Sequence, residues 1–180
     1  MSRNLMNWND NLLTGIEIID REHRGIVDLI NRVAPNLASM GNERMRDCEP
    51  LCEQLMAYAT SHFKTEEDLM ARYNVDSRVL SHHRESHSGF VEKVKDLAGR
   101  MAGGRGVTGS EFLSFLAGWL LSHILGEDQT MARQIRAIDS GLSPERAYRE
   151  AGGYRTSPSE SALTHVFIGL YTQMIRKDED

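Results

Sequence analysis

Cysteine, proline and long apolar runs are all scarce in this chain. Its 180 residues include two cysteines and four prolines. Cys48 and Cys52 lie four apart on what reads as one helix, where they are badly placed to bridge each other. Two cysteines are in any case too few for a disulfide framework. They fit reduced thiols and therefore a cytoplasmic setting. No apolar stretch approaches the length of a membrane span. The segment from Met1 to Asp10 has neither the apolar core nor the cleavage site of a secretion signal. Basic runs never exceed two residues, and acids outnumber bases 26 to 21, for a net charge of −5. That balance offers nothing to hold nucleic acid or an anionic membrane, and the acidic end Asp178-Glu179-Asp180 reads as a solvated terminus. Strict alternation of apolar and polar residues is missing too, which removes the case for a sheet.

What remains is helical periodicity, with apolar residues recurring at intervals of three and four. The first 19 residues read as an arm that could pack through Trp8, Leu12, Leu13, Ile16 and Ile18. Asp20 is the expected N-cap of the first helix, whose stripe is Ile19, Ile26, Ile30, Val33 and Leu37, with Pro35 bending or ending it. A second helix is expected from Asp47, with Pro50 tolerated in its first turn, and its stripe is Leu51, Leu55, Tyr58, Leu69 and Tyr73. A third follows Asn74-Val75-Asp76-Ser77 and carries Leu80, Phe90, Val91, Val94, Leu97 and Met101 up to the glycines at 103, 104 and 106. Thr108-Gly109-Ser110-Glu111 has the form of a capping box and opens a fourth, with Phe112, Phe115, Leu116, Trp119, Ile124, Met131 and Ile135. Four long amphipathic helices with short connections predict an all-α, antiparallel up-down four-helix bundle over residues 1–138. Residues 139–180 read as an appended helical hairpin. Ser143-Pro144 starts its first helix, and Ser157-Pro158-Ser159-Glu160 starts a second, over about 158–176, with Leu163, Val166, Phe167, Leu170 and Met174.

The informative residues interrupt these stripes. His23 stands three before Ile26. His62 and Glu66 lie between Tyr58 and Leu69, His83 and His87 between Leu80 and Phe90, and His123 one turn after Trp119, with Asp128 five further on. Burying so many ionisable groups unpaired would cost several kcal/mol each, on the order of magnitude known for buried charges. A shared metal site removes the difficulty. Residues at i and i+4 project from one helix face, so His62/Glu66 and His83/His87 can each aim two ligands at one point. His123 and Asp128 are expected about 140° apart around an α-helix, which suits a histidine on one metal and a carboxylate bridging to another. His82, turned about 100° from His83, and His165, in the appendage, are expected to be non-ligands.

Seven ligands are too many for one zinc ion and suit two metals with bridging carboxylates. Imidazole-rich nitrogen and oxygen ligation suits iron. Ferritin-like di-iron enzymes carry paired Glu-x-x-His motifs, and none occurs here. Fewer anionic donors disfavour high-valent iron, which favours reversible O2 binding, with two irons lending two electrons, over oxygenation.

These residues resemble those of the bacterial hemerythrins. The likeness is carried by Trp8, Gly15-Ile16 to Asp20-Arg21-Glu22-His23, His62-Phe63-Lys64-Thr65-Glu66-Glu67-Asp68-Leu69-Met70 with Tyr73, His83-Arg84-Glu85-Ser86-His87-Ser88-Gly89-Phe90, and Trp119-Leu120-Leu121-Ser122-His123-Ile124-Leu125-Gly126-Glu127-Asp128. The resemblance implies two non-haem iron ions joined by an oxo or hydroxo group. It implies that His83, His87 and His123 fill one iron, that His23 and His62 hold the other with a position open for O2, and that Glu66 and Asp128 bridge them. Leu120 matches a position lining the O2 pocket, with Phe63 and Trp119 packed beside it. Asn74 stands where many relatives have proline. Residues 139–180 resemble, faintly, segments that follow such domains in bacterial signalling chains. The expected function is reversible O2 binding as carrier, store or sensor, not catalysis. The alternatives are a di-iron enzyme (a peroxidase, a nitric-oxide-handling or an iron-centre repair protein) and a module that signals O2 or iron redox state through residues 139–180, to a partner or a second copy.

Overall fold

The computed structural model describes residues 4–39 and 49–152, and among them there is no strand. Six α-helices follow one another: α1 Glu17–Ser39, α2 Glu49–Arg72, α3 Ser77–Ala102, α4 Gly109–His123, α5 Gln129–Asp139 and α6 Pro144–Glu150. A π-helical turn, Ile124–Asp128, joins α4 to α5 without a loop. α1 packs on α2 and α4, and α3 packs on the same two, so the four long helices close a ring. This is the up-down four-helix bundle that the stripes predict. The second helix expected near 158–176, His165 and Cys48 lie outside the described residues, as does Asp47.

The bundle has one apolar core at its α4 N-terminal end and another at its α6 end. The larger holds Ile26, Ile30, Val33, Leu37, Leu55, Phe63, Phe90, Phe112 and Leu120. The smaller holds Ile19, Met70, Val75, Val79, Met131 and Ile135, with Tyr148 of α6 packed against it. Polar residues of the interrupted stripes occupy the layer between them.

Local chemistry sets the helix ends. The Thr108 side chain accepts from the Glu111 amide while the Glu111 carboxylate accepts from the Thr108 amide, so the capping box forms as read. Ser143 caps α6 with Pro144 behind it. α2 ends through Asn74, which takes φ 52° while the Val75 amide reaches back to the Met70 carbonyl at 2.9 Å. That left-handed cap tolerates asparagine and excludes proline, whose ring fixes φ negative.

Two expectations are corrected. α1 begins at Glu17, three residues before the expected cap. Asp20 instead turns its carboxylate back on the arm, accepting from the amide and hydroxyl of Thr14, both at 2.7 Å, and from the Gly15 amide at 3.0 Å. Arg136 grips the Thr14 carbonyl from α5, and Gln129 donates to the Leu13 carbonyl at 2.8 Å. The arm is thus tied by its backbone, which leaves the Leu13 side chain 37% exposed; Ile18, in the first turn of α1, is as open, while Leu12 is buried. Of the two effects expected of Pro35, bending or ending α1, the ending does not occur. Pro35 is exposed, and Leu37, fully buried beyond it, anchors the last turn.

Candidate metal centre

The layer between the cores contains His23 of α1, His62 and Glu66 of α2, His83 and His87 of α3, His123 of α4, and Asp128 at the end of the π turn. All seven are at most 3% exposed. They fall into two groups that could each hold a metal ion, Glu66 with His83, His87 and His123, and His23 with His62, Glu66 and Asp128. His82, next to His83, is exposed.

The carboxylates divide their oxygens between the two groups. Glu66 Oε1 lies 3.4 Å from His62 Nε2 and 3.8 Å from His23 Nε2. Its Oε2 lies 3.4, 3.1 and 3.8 Å from the Nε2 atoms of His83, His87 and His123. Asp128 does the same, with Oδ2 3.1 Å from His23 and Oδ1 3.3 and 3.1 Å from His83 and His123. Five imidazoles therefore present Nε2 to one pair of carboxylates.

Protein hydrogen bonds do not satisfy this arrangement. His23 Nε2, His62 Nε2, Glu66 Oε1 and both Asp128 oxygens are buried without a hydrogen-bond partner among the described residues. His87 and His123 point their Nε2 atoms at each other across 3.1 Å. Orphaned donors that converge from several helices carry a heavy desolvation cost, and cations between them would offset it. The residues present fit a pair of metal ions.

The electrostatics of the metal-free cluster agree. Burial resists ionisation of Glu66, and Asp128 beside it adds repulsion, yet the facing imidazoles hold its carboxyl well below the usual range. Asp128 is likewise held well down, against burial, by His123, His23 and His83. Burial pushes His83 toward neutrality, but the Asp128 and Glu66 carboxylates that face it win and raise it to about 9. Glu66 and Asp128 therefore stay negative among the histidines, as metal-binding carboxylates must.

The π turn brings His123 and Asp128 together. An α-helix would set them about 140° apart. Here the Gln129 amide reaches the Ile124 carbonyl, five residues back, so one turn takes up an extra residue. Both side chains then point inward and meet at 3.1 Å.

Three further acids meet these histidines from outside. Glu22 Oε2 is 2.9 Å from His62 Nδ1, Glu67 Oε1 3.2 Å from His87 Nδ1, and Glu127 Oε2 3.4 Å from His123 Nδ1. The stripe pattern does not find them, because each is only partly buried and two of the three reach a different helix. A local signal exists: each is the chain neighbour of an inward donor, His23, Glu66 or Asp128.

Apolar side chains close the other flank. Phe63 stacks on His87 with centroids 3.9 Å apart, and Trp119 on His123 at 4.4 Å. Phe63, Trp119 and Leu120 also line an apolar cavity of about 20 Å³, together with Ile26, Ile30 and Leu116. Such a space is the size of one or two small molecules. Its lining includes Phe63, next to His62 in sequence, and Ile26, about one helical turn after His23. A much larger groove, about 630 Å³, lies between α2 and α3 and is lined by charged residues including Lys64, Glu67, Arg84 and Lys95.

Known proteins share this sequence pattern. The hemerythrin HHE cation binding domain matches residues 14–135, a span that contains all seven inward donors. The chain is 30% identical to a bacteriohemerythrin of Stenotrophomonas maltophilia over 150 residues, 83% of this chain and 92% of that one. It is 32% identical to a bacteriohemerythrin of Pseudomonas aeruginosa over 140 residues, covering 78% and 88% of the two chains. With a myohemerythrin of Riftia pachyptila it shares 29% identity over 121 residues, 67% of this chain and 86% of the relative. The match covers more than half of the chain and spans the whole donor layer, and this protein belongs to the hemerythrin family.

Proposed function

We propose that the chain binds O2 reversibly at a non-haem di-iron site. In this reading His83, His87 and His123 hold one iron, His23 and His62 hold the other, and Glu66 and Asp128 bridge them. The observation that carries it is the division of both carboxylates, one oxygen toward each histidine group. Iron ions bound there would supply the two electrons that O2 takes on binding and returns on release.

The chain's own contributions follow from its residues. Five histidines and two carboxylates give a donor set low in negative charge, which suits reversible binding better than deeper oxidation. The two-histidine group has one ligand fewer, leaving room for a small guest. The cavity by Phe63, Trp119 and Leu120 is apolar, so it admits O2 and excludes bulk water. At about 20 Å³ it is far below the several hundred Å³ of organic-substrate pockets, which supports a binding protein over an enzyme acting on large molecules.

Iron analysis together with absorption spectra under controlled O2 tests this reading. The reduced, iron-loaded chain should hold two irons, develop a new spectrum in air and lose it when O2 is removed. Irreversible oxidation with no reversible spectrum overturns it, and fast turnover of peroxide or nitric oxide moves the assignment to an enzyme.

A second reading adds signalling through residues 139–180. It is favoured by the way α6 docks on the bundle. Arg78 of α3 bonds Glu145 at 2.8 Å and lies 3.7 Å over the Tyr148 ring. Deleting residues 139–180 should then alter oligomeric state or partner binding, and an unchanged chain removes the idea.

A further inference from the structure

Glu22, Glu67 and Glu127 lie outside the seven inward donors, yet they repeat one arrangement three times. Each sets one oxygen against a histidine Nδ1 and gives the other to a hydrogen-bond donor that holds the carboxylate in place. Glu22 takes His62 Nδ1 at 2.9 Å and the Thr65 hydroxyl at 3.1 Å. Glu67 takes His87 Nδ1 at 3.2 Å and Arg84 Nε at 2.9 Å. Glu127 faces His123 Nδ1 at 3.4 Å and His83 Nδ1 at 4.0 Å, and its other oxygen accepts from the Ser86 hydroxyl at 2.9 Å. Their side chains are 20–26% exposed, so none is a free surface acid. Glu22 of α1 serves a histidine of α2, Glu67 of α2 serves one of α3, and Glu127 ties the π turn to α3.

A neutral imidazole carries one proton, and only the nitrogen without it can bind a metal. An ionised carboxylate accepts and cannot donate, so set against Nδ1 it keeps the proton there and leaves Nε2 open. It also fixes the rotation of the ring. We propose that Glu22, Glu67 and Glu127 are positioning residues of the metal centre, holding His62, His87 and His123 in the Nδ1–H form with Nε2 turned inward. The inference rests on the di-iron reading above. The support is uneven. The three-histidine group has two such acids and the two-histidine group one: His23 Nδ1 is buried without a hydrogen-bond partner among the described residues, and the Glu127 contact is the loosest of the three, His123 Nδ1 and Glu127 Oε2 facing each other at 3.4 Å without a formed hydrogen bond. The Trp8 ring packs beside His23 instead, with centroids 6.4 Å apart.

The test compares Glu→Leu and Glu→Gln at each of the three positions in the full chain. Glutamine offers a carbonyl that accepts the same proton but carries no charge. Each protein is titrated with Fe(II) without O2, against a coloured chelator, and the melting temperature of its metal-free form is recorded. Leu variants should bind iron roughly 10–100-fold more weakly, the range found when carboxylate support of a metal-bound histidine is lost. Gln variants should stay close to the unsubstituted chain, and the metal-free melting temperatures should cluster. Leu variants that bind as tightly as the unsubstituted chain overturn the inference. So do Gln variants that fall as far as Leu, since charge and not proton placement would then be the cause. If the unsubstituted chain itself holds no iron, the di-iron reading has failed first, and this inference falls with it.

Discussion

Glu66 faces both histidine groups, whereas His23 faces only one. The two therefore differ in what their removal should do. Glu66→Leu takes a donor from both groups and should bring iron content down toward zero. His23→Leu leaves Glu66 with His83, His87 and His123, four donors that can retain one ion. Metal analysis after desalting separates these outcomes, and equal losses would argue against two distinct groups. Packing gives a second test at this scale. A Cβ on Gly109 would collide with the Leu37 carbonyl, where the start of α4 touches α1. Backbone cannot yield as a side-chain tip does, so Gly109→Ala should cost about 1–3 kcal/mol, as overpacking does, seen as a lower denaturant midpoint. The convergence of these seven residues in one buried layer was legible in the sequence because each broke an apolar stripe. Glu22, Glu67 and Glu127 were not, because partly exposed acids look the same whether they meet water or a histidine on the next helix.

Among the elements, α6 is short and depends on its docking. Arg78 joins it to the start of α3 by pairing with both Asp76 and Glu145 at 2.8 Å while covering Tyr148. Arg78 is half exposed, so its ion pairs are screened and contribute little, and the contact over the ring adds only modestly. Arg78→Ala should therefore loosen α6 locally and leave the bundle's melting temperature nearly unchanged. Faster amide exchange over 144–150, with α1 to α4 protected as before, is the expected result. Helix ends were readable wherever a side chain caps its own turn, as at Thr108 and Ser143. They were misread where tertiary contacts decide. Asp20 looks like a cap but holds the arm, and Pro35, which could bend or end α1, stands inside it with Leu37 buried beyond. The π turn was invisible, since reading five residues from His123 to Asp128 assumed an unbroken α-helix.

In the di-iron reading, metal and protons compete across the whole molecule for the same buried layer. In the metal-free protein His83 is raised to about 9 by Asp128 and Glu66, against the pull of burial. A raised folded pKa contributes stability in full below the unfolded value of about 6.5, and that contribution is lost as pH rises through about 9. Metal binding needs the deprotonated ring, so this loss should be absent when iron is bound. The melting temperature of the metal-free protein should fall between pH 6.5 and 9 relative to the loaded one, and a constant gap would contradict the proton count. The π turn acts at this scale too. It takes in a surplus residue while Met131 and Ile135 stay buried, in step with Leu116 and Leu120. The long fourth rod of the bundle therefore has one residue to spare. Leu125, 40% exposed, is the one to remove. A chain without it should rewind this stretch as plain α-helix, keep α5 seated and still fold, so loss of a residue here would be tolerated where a loss within α2 would turn half a helix out of the core.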